Sequence, residues 1–122
     1  ANTLFRQGQA LARNSTIETN KEAVTAFRGA ANCHSFLASK SDPIHRKLQG
    51  ECLWYAARSA VTSQQPLLAT ELMTQAGAVV KEAAQQFREL QRTEDAAICD
   101  ILVEKMTDWT ARQQQPGAVR TD

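Results

Sequence analysis

The stretch PLLATELMTQAGAVVKEAAQQFREL, residues 66–90, decides the fold of this chain. It opens with proline and then contains no helix breaker stronger than Gly77. It predicts one helix roughly 37 Å long, since each residue adds about 1.5 Å. The apolar residues recur at the spacing of a helix with a buried face, wide enough for neighbours on both sides. They are Ala69, Leu72, Met73, Ala76, Val79, Val80, Ala83, Phe87 and Leu90.

The composition favours an all-α protein. Aromatic residues make up 6% of the 122 residues, alanine and glutamine are frequent, and β-branched residues do not alternate as they do in strands. With 14 Lys and Arg against 13 Asp and Glu, the net charge of +1 creates no field that attracts nucleic acid or anionic membranes. No window resembles a membrane-spanning segment. We therefore expect neither nucleic-acid binding nor membrane insertion.

Capping and turn signals divide the chain into five helices. Thr19 and Glu22 form a capping-box pattern before the second helix, and Pro43 opens the third. Thr93, followed by two acidic residues, caps the fifth helix. The predicted spans are 3–14, 20–39, 43–62, 66–91 and 94–112.

The predicted helices belong to one domain, residues 1–112, followed by a flexible tail, residues 113–122, without an apolar period. Short connections force successive helices to be antiparallel neighbours, which gives a row of helical hairpins. Glycine inside a helix costs about 1 kcal/mol relative to alanine, so we expect such glycines where two helices approach closely. These glycines are Gly29, Gly50 and Gly77.

Apolar periodicity also predicts which side chains face inward. In the second helix the expected inward residues are Ala23, Val24, Phe27, Ala30, Ala31, His34, Phe36 and Leu37. In the fifth helix they are Ile98, Ile101, Leu102, Met106 and Trp109.

An internal repeat relates the second helix to the fourth at an offset of 46 residues. A small, a large and another small residue recur in the same order, so that a partner helix can come close and the large side chain can fill the gap. The two triplets are Ala23, Phe27 and Ala30, and Ala69, Met73 and Ala76. This order resembles the second-helix signature of tetratricopeptide repeats.

The first helix fits the same family loosely, since Leu4, Gly8 and Leu11 resemble the positions of its first-helix signature. The loop 14–20 is longer than in that family, and the offset of 46 residues exceeds the family's period of about 34. The chain therefore looks more similar to the long-helix, divergent relatives found in soluble NSF-attachment adaptor proteins.

The resemblance implies a non-enzymatic interaction module, or a fragment of an adaptor or scaffold, that binds a helix or an extended peptide of another protein. In the family the first helix of each hairpin lines the binding groove. The implied partner-binding residues are Arg6, Gln9, Arg13, Lys47, Glu51, Trp54 and Arg58. Trp54 has two interpretations, a residue packed under the fifth helix or an exposed interface anchor.

Two alternatives stay open. Residues 20–62 also resemble part of a three-helix microtubule-interacting and trafficking module, with an EAxxxFxxA helix followed by the element from Tyr55 to Arg58. The other alternative is a closed helical bundle that acts as a structural subunit and forms a homodimer.

Cysteine and histidine residues flank the turn between the second and third helices. The set Cys33, His34, His45 and Cys52 matches no short zinc motif, and we expect a buried His34, a surface His45 and no metal or cofactor. We expect no enzymatic activity, because two histidines without a nucleophile and an orienting acid lack the minimum constellation. Together with Cys99 the cysteines are odd in number, which indicates a reducing, cytoplasmic setting.

Overall fold

The computed structural model describes residues 2–13, 16–38 and 42–114. This part of the chain is all-α, with five helices and no strand, which confirms the predicted class. The predicted starts and ends agree with the observed bounds to within three residues. The helices are α1 (Asn2–Arg13), α2 (Ile17–Leu37), α3 (Ile44–Thr62), α4 (Pro66–Glu89) and α5 (Thr93–Gln114).

The C-terminal end of α5 reaches further than predicted. Residues 113 and 114, assigned to the flexible tail, continue the helix. The rest of the predicted tail, residues 115–122, lies outside the described residues.

The capping box predicted at Thr19 and Glu22 is wrong, because α2 begins a turn earlier. The hydroxyl of Thr16 accepts a hydrogen bond from the backbone N–H of Thr19 at 3.1 Å, which makes Thr16 the N-cap. The backbone carbonyl of Thr16 also accepts a hydrogen bond from the side-chain amide of Asn20 at 2.9 Å. An earlier threonine therefore takes the cap, and Thr19 lies inside the helix.

The second predicted start signal is shifted by one residue. Pro43 is the N-cap of α3 rather than its first helical residue, and the helix begins at Ile44. The carboxylate of Asp42 still accepts a hydrogen bond from the backbone N–H of Ile44 at 3.3 Å.

Each helix packs extensively against the next helix in sequence, from α1 on α2 through α4 on α5. The contacts run in opposite directions along neighbouring helices: Gly50 faces Val80, whereas Arg46, one turn earlier in α3, forms an ion pair with Glu82, later in α4. Neighbours are therefore antiparallel. Within the described residues, α1 makes no extensive contact with α5, so the helices form an open row.

Phe27 of α2 joins the first three helices. A Cβ atom on Gly8 of α1 would lie only 2.8 Å from its ring, so the α1 backbone approaches at a distance that only glycine allows. The ring centroid lies 5.5 Å from that of Phe5 and 5.4 Å from that of Tyr55, on α1 and α3 respectively. Phe5 and Tyr55 also meet edge to face at 5.1 Å. These three rings hold α1 and α3 together over α2.

The small, large, small triplets of α2 and α4 both lie in the core. Phe27 is 1% exposed and its counterpart Met73 is 5% exposed. The four alanines of the triplets are no more than 3% exposed, which lets the neighbouring helices come close. They are Ala23, Ala30, Ala69 and Ala76.

Two of the three predicted close approaches at helical glycines are present. A Cβ atom on Gly50 would overlap Cγ2 of Val80, and one on Gly29 would lie 3.1 Å from Cδ1 of Leu4. The prediction is wrong for Gly77, whose added Cβ would have nothing within 4 Å. Gly77 therefore destabilises the helix relative to alanine, and no close contact between helices offsets this cost.

The turns that flank α4 have the same geometry. In each, a glutamine adopts the left-handed conformation, with φ of 62° at Gln64 and 59° at Gln91. The next backbone N–H, of Gln65 or Arg92, bonds to the carbonyl five residues back at 2.8 or 2.9 Å. This pattern is a Schellman-type helix end, which satisfies otherwise free carbonyls and reverses the chain.

The predicted inward positions of α2 are wrong at its C-terminal end. Phe36 is 90% exposed and Leu37 is 57% exposed. Phe36 follows Phe27 by nine residues, and at about 100° per residue this is half a turn away from the buried face. The other inward residues predicted for α2 are buried.

The contrast between Gly50 and Gly77 predicts opposite effects of the same substitution. We expect Gly50→Ala to lower the free energy of unfolding by roughly 1–3 kcal/mol, because its methyl group overlaps Val80 and separates α3 from α4. Gly77→Ala should raise it by roughly 0.5–1 kcal/mol, because the methyl group meets nothing and favours the helix. Urea denaturation of both variants beside wild type measures the two effects. Equal shifts in the same direction would contradict this account of the α3–α4 interface.

Candidate interaction surface

The predicted binding residues of α1 share one face of that helix. Arg6, Gln9 and Arg13 follow one another at three and four residues, so their side chains lie in a row. Arg6 and Arg13 are exposed, and Gln9 is half-buried. The opposite side of α1 contacts α2 through Leu4 and Gly8.

The predicted binding residues of α3 also form a row, because they are spaced at about one helical turn. Nζ of Lys47 lies 3.0 Å from Oε1 of Glu51 in an ion pair whose side chains are 22% and 31% exposed. A pair of this type within one helix stabilises by about 0.3–0.5 kcal/mol. Arg58, further along, is exposed and its guanidinium lies 5.8 Å from the ring centroid of Tyr55.

The two rows lie on helices that are in contact. Tyr55 carries Arg58 on one side of its ring and meets Phe5 of α1 on another, at 5.1 Å between centroids. The structure thus places six of the seven predicted residues along the faces of two neighbouring helices. Whether they bind a partner stays a prediction.

Trp54 differs from the other six because it is a large apolar side chain that packs against the hydrophobic core. Its indole Nε1 is buried and has no hydrogen-bond acceptor among the described residues. Part of Trp54 therefore packs against the core, and whether its exposed part binds a partner stays a prediction.

A groove between α3 and α5 was not predicted. Its volume is about 190 Å³, and its walls come from two helices separated in sequence by α4. The lining residues are Lys47, Glu51, Ile98, Ile101, Leu102 and Lys105.

The predicted inward positions of α5 are wrong for Ile98 and Ile101, which are 50% and 53% exposed. The residues of α5 that are buried in the core are Ala96, Cys99 and Met106, each no more than 3% exposed, and the predicted Leu102 and Trp109 pack against the core while partly buried. The helix therefore carries two apolar stripes, and the second faces the groove instead of α4. The sequence signal for it is the position of Ile101 and Leu102 three and four residues after Ile98, on a face separate from the Cys99 stripe.

Two histidines form a pair across the α2–α3 interface. Nδ1 of His34 lies 3.1 Å from Nδ1 of His45, and the rings are stacked with centroids 5.3 Å apart. The predicted burial of His34 is confirmed, but His45 is half-buried and not on the surface. One ring nitrogen donates to the other, so the contact requires at least one neutral imidazole.

The protonation of this region is set mainly by burial. Burial, followed by the positive charge of His45, lowers the pKa of His34 below its ordinary value of 6.5. Burial also raises the pKa of the Cys52 thiol, on the same interface, to about 11, and Glu51 adds to this shift. The thiol is therefore protonated at neutral pH, which makes it a weak nucleophile and metal ligand.

The predicted absence of a metal site concerns the same residues. Within residues 2–13, 16–38 and 42–114, no three His, Cys, Asp or Glu side chains are grouped so that they could hold a metal ion. Among these residues there is also no helix with the length and apolar character needed to cross a bilayer.

Comparison of the chain with families of known proteins, with curated proteins and with solved structures found no match. The surface formed by α1, α3 and α5 is thus interpreted from its geometry.

The histidine pair predicts a loss of stability in mild acid. Because folding lowers the pKa of His34, the native state binds fewer protons than the unfolded state, so stability falls as the pH drops below about 6.5. Thermal melts between neutral pH and pH 5 should show a falling midpoint. His34→Gln, which cannot titrate, should flatten this part of the profile. An unchanged slope in that variant would show that other groups cause the pH dependence.

Proposed function

We propose that this chain is a non-enzymatic protein–protein interaction module, in which the face formed by α1, α3 and α5 binds a helix or an extended peptide of another protein. The observation that carries the proposal is the exposure of Ile98 and Ile101 in the groove beside α3. Apolar side chains that gather in a concave site with a polar rim are typical of protein-binding surfaces.

The arrangement of the helices supports the same proposal. A row of antiparallel helices, with the same small, large, small triplet buried in α2 and α4, is what stacked helical hairpins require. We propose that the chain is a divergent tetratricopeptide-like array. In such an array α1, α3 and α5 are the first helices of successive hairpins, and their common face is the binding face.

The chemistry of the nucleophile candidates favours a binding role over catalysis. Burial raises the pKa of both Cys52 and Cys99 to about 11, so neither thiol forms an appreciable thiolate at neutral pH. His34 is bonded to a second histidine rather than to an acid and a nucleophile. All three cysteines are unpaired, in keeping with the proposed reducing, cytoplasmic setting.

A homodimeric structural subunit is the second candidate, because the exposed Ile98 and Ile101 could also pack against a second copy. The open row of helices favours the peptide-binding role over a closed bundle. The trafficking-type resemblance over residues 20–62 stays a further candidate, although α4 and α5 pack as continuations of the same row.

A matched pair of charge reversals tests the binding face. Arg13→Glu with Arg58→Glu changes the proposed face, and Arg28→Glu with Lys81→Glu makes the same charge change at exposed positions of α2 and α4. Affinity capture from the source cell, followed by mass spectrometry, should show at least about a tenfold loss of partners for the first variant only. Melting curves verify that both variants fold.

Equal capture by both variants would place the binding site elsewhere. Equal loss would show that capture depends on net charge rather than on one face.

Light scattering separates the two candidates. We expect a monomer at micromolar concentration, because in the proposed function the groove binds another protein and not a second copy of this chain. A monodisperse dimer that dissociates on Ile101→Asp, and that captures no partner, would favour the structural subunit.

A further inference from the structure

We infer that the groove between α3 and α5 binds an acidic segment of another protein, with one apolar side chain over Ile98 and Ile101 and a carboxylate against Lys105. This inference rests on the proposed function and specifies the chemistry of the partner. It is carried by the shape, the apolar floor and the charge of the groove.

The size of the groove matches one large apolar side chain. Its volume is about 190 Å³, and a cavity of about 150 Å³ holds a benzene ring. The floor is formed by Leu102 and the two exposed isoleucines of α5. An aromatic or branched aliphatic side chain seated there would cover part of the exposed surface of the two isoleucines, which are 50% and 53% exposed.

The charge of the groove favours an anionic partner. Lys47 is already paired with Glu51, at 3.0 Å. Lys105 lines the same groove and makes no ion pair or hydrogen bond among the described residues. The charged residues that line the groove therefore leave one unpaired positive charge, and this charge lies beside the apolar floor.

Charged residues of both signs surround the groove. Since α3 and α5 are each antiparallel to α4, they run parallel to each other, and exposed Arg58 and Arg112 both lie toward their C-terminal ends. Exposed Glu94 lies at the opposite end, in the first turn of α5. Glu51 lines the groove and exposed Asp108 lies one turn beyond Lys105, so the charge that favours an acidic residue is that of Lys105 beside the apolar floor.

The spacing of the two contacts predicts a sequence pattern in the partner. Ile101 and Lys105 are one turn apart, about 6 Å along the axis. An extended peptide spans this distance in two residues and a helix in four, at about 3.3 Å and 1.5 Å per residue. A nucleic-acid phosphate could meet Lys105 but would leave the isoleucine floor uncovered. The apolar floor therefore favours a peptide.

Selection from a display library of short random peptides against the full chain tests this inference. The affinities of the selected peptides are then measured for wild type, Ile101→Asp, Lys105→Glu and the control Lys81→Glu. The three substituted positions are exposed, so the fold should be retained, and circular dichroism verifies this. We expect peptides that combine an apolar and an acidic residue, and about tenfold weaker binding to both groove variants but not to the control.

The other outcomes separate the inference from the proposed function. Selected peptides that are basic, or that ignore the groove variants but lose binding with Arg13→Glu and Arg58→Glu, would overturn the groove and leave the interaction module standing. A library that yields no binder for the folded chain would overturn the groove, and the proposed function would fall with it only if the wild-type chain also captured no partner from the source cell.

Discussion

The contact between the phenyl ring of Phe27 and the backbone of α1 is the one on which the rest of the structure depends. Because Gly8 has no side chain, the ring lies against the first helix and still reaches Phe5 and Tyr55. Three helices are thereby fixed around one side chain that is 1% exposed. A glycine also allows a close approach between α3 and α4, where Gly50 lies against Val80.

These close approaches also determine the surface. With α1 and α3 joined through Phe5 and Tyr55, the faces that carry Arg13 and Arg58 are held side by side. With α3 pressed against α4, the next helix in the row borders α3 across a shallow groove. The charged rows and the apolar groove are therefore consequences of how tightly the interior helices pack.

Much of the fold could be predicted from local patterns. Proline at the start of α4, acidic residues in the first turn of α5 and the alanine spacing of α2 all act within a few residues, and sequence contains such information. The cap of α2 was missed, because Thr16 is as good an N-cap residue as Thr19 and the helix begins after Thr16. The position of Phe36 around the helix axis explains its exposure. Phe36 lies half a turn from Phe27 and therefore on the side of α2 away from the buried face.

The candidate site was less predictable, because it depends on which helices exist beyond a given face. Ile98 and Ile101 have the same sequence signal as core residues, and only the absence of a helix over them in the described row distinguishes the two cases. Gly77 is a similar case, because the sequence of a helix does not show whether another helix packs against its glycine. The half-burial of His45 depended on the stacking partner that α2 supplies.

The open row has a consequence for how the molecule forms. Among the described residues, every extensive interface joins helices that are consecutive in sequence, so contact order is low. Folding can begin in any hairpin and spread outward, as in an array described by nearest-neighbour coupling. The terminal helices α1 and α5 have one such neighbour each, whereas α3 has two. Amide exchange should therefore be fastest at the ends, and the α3–α5 groove borders one of these more readily opened helices.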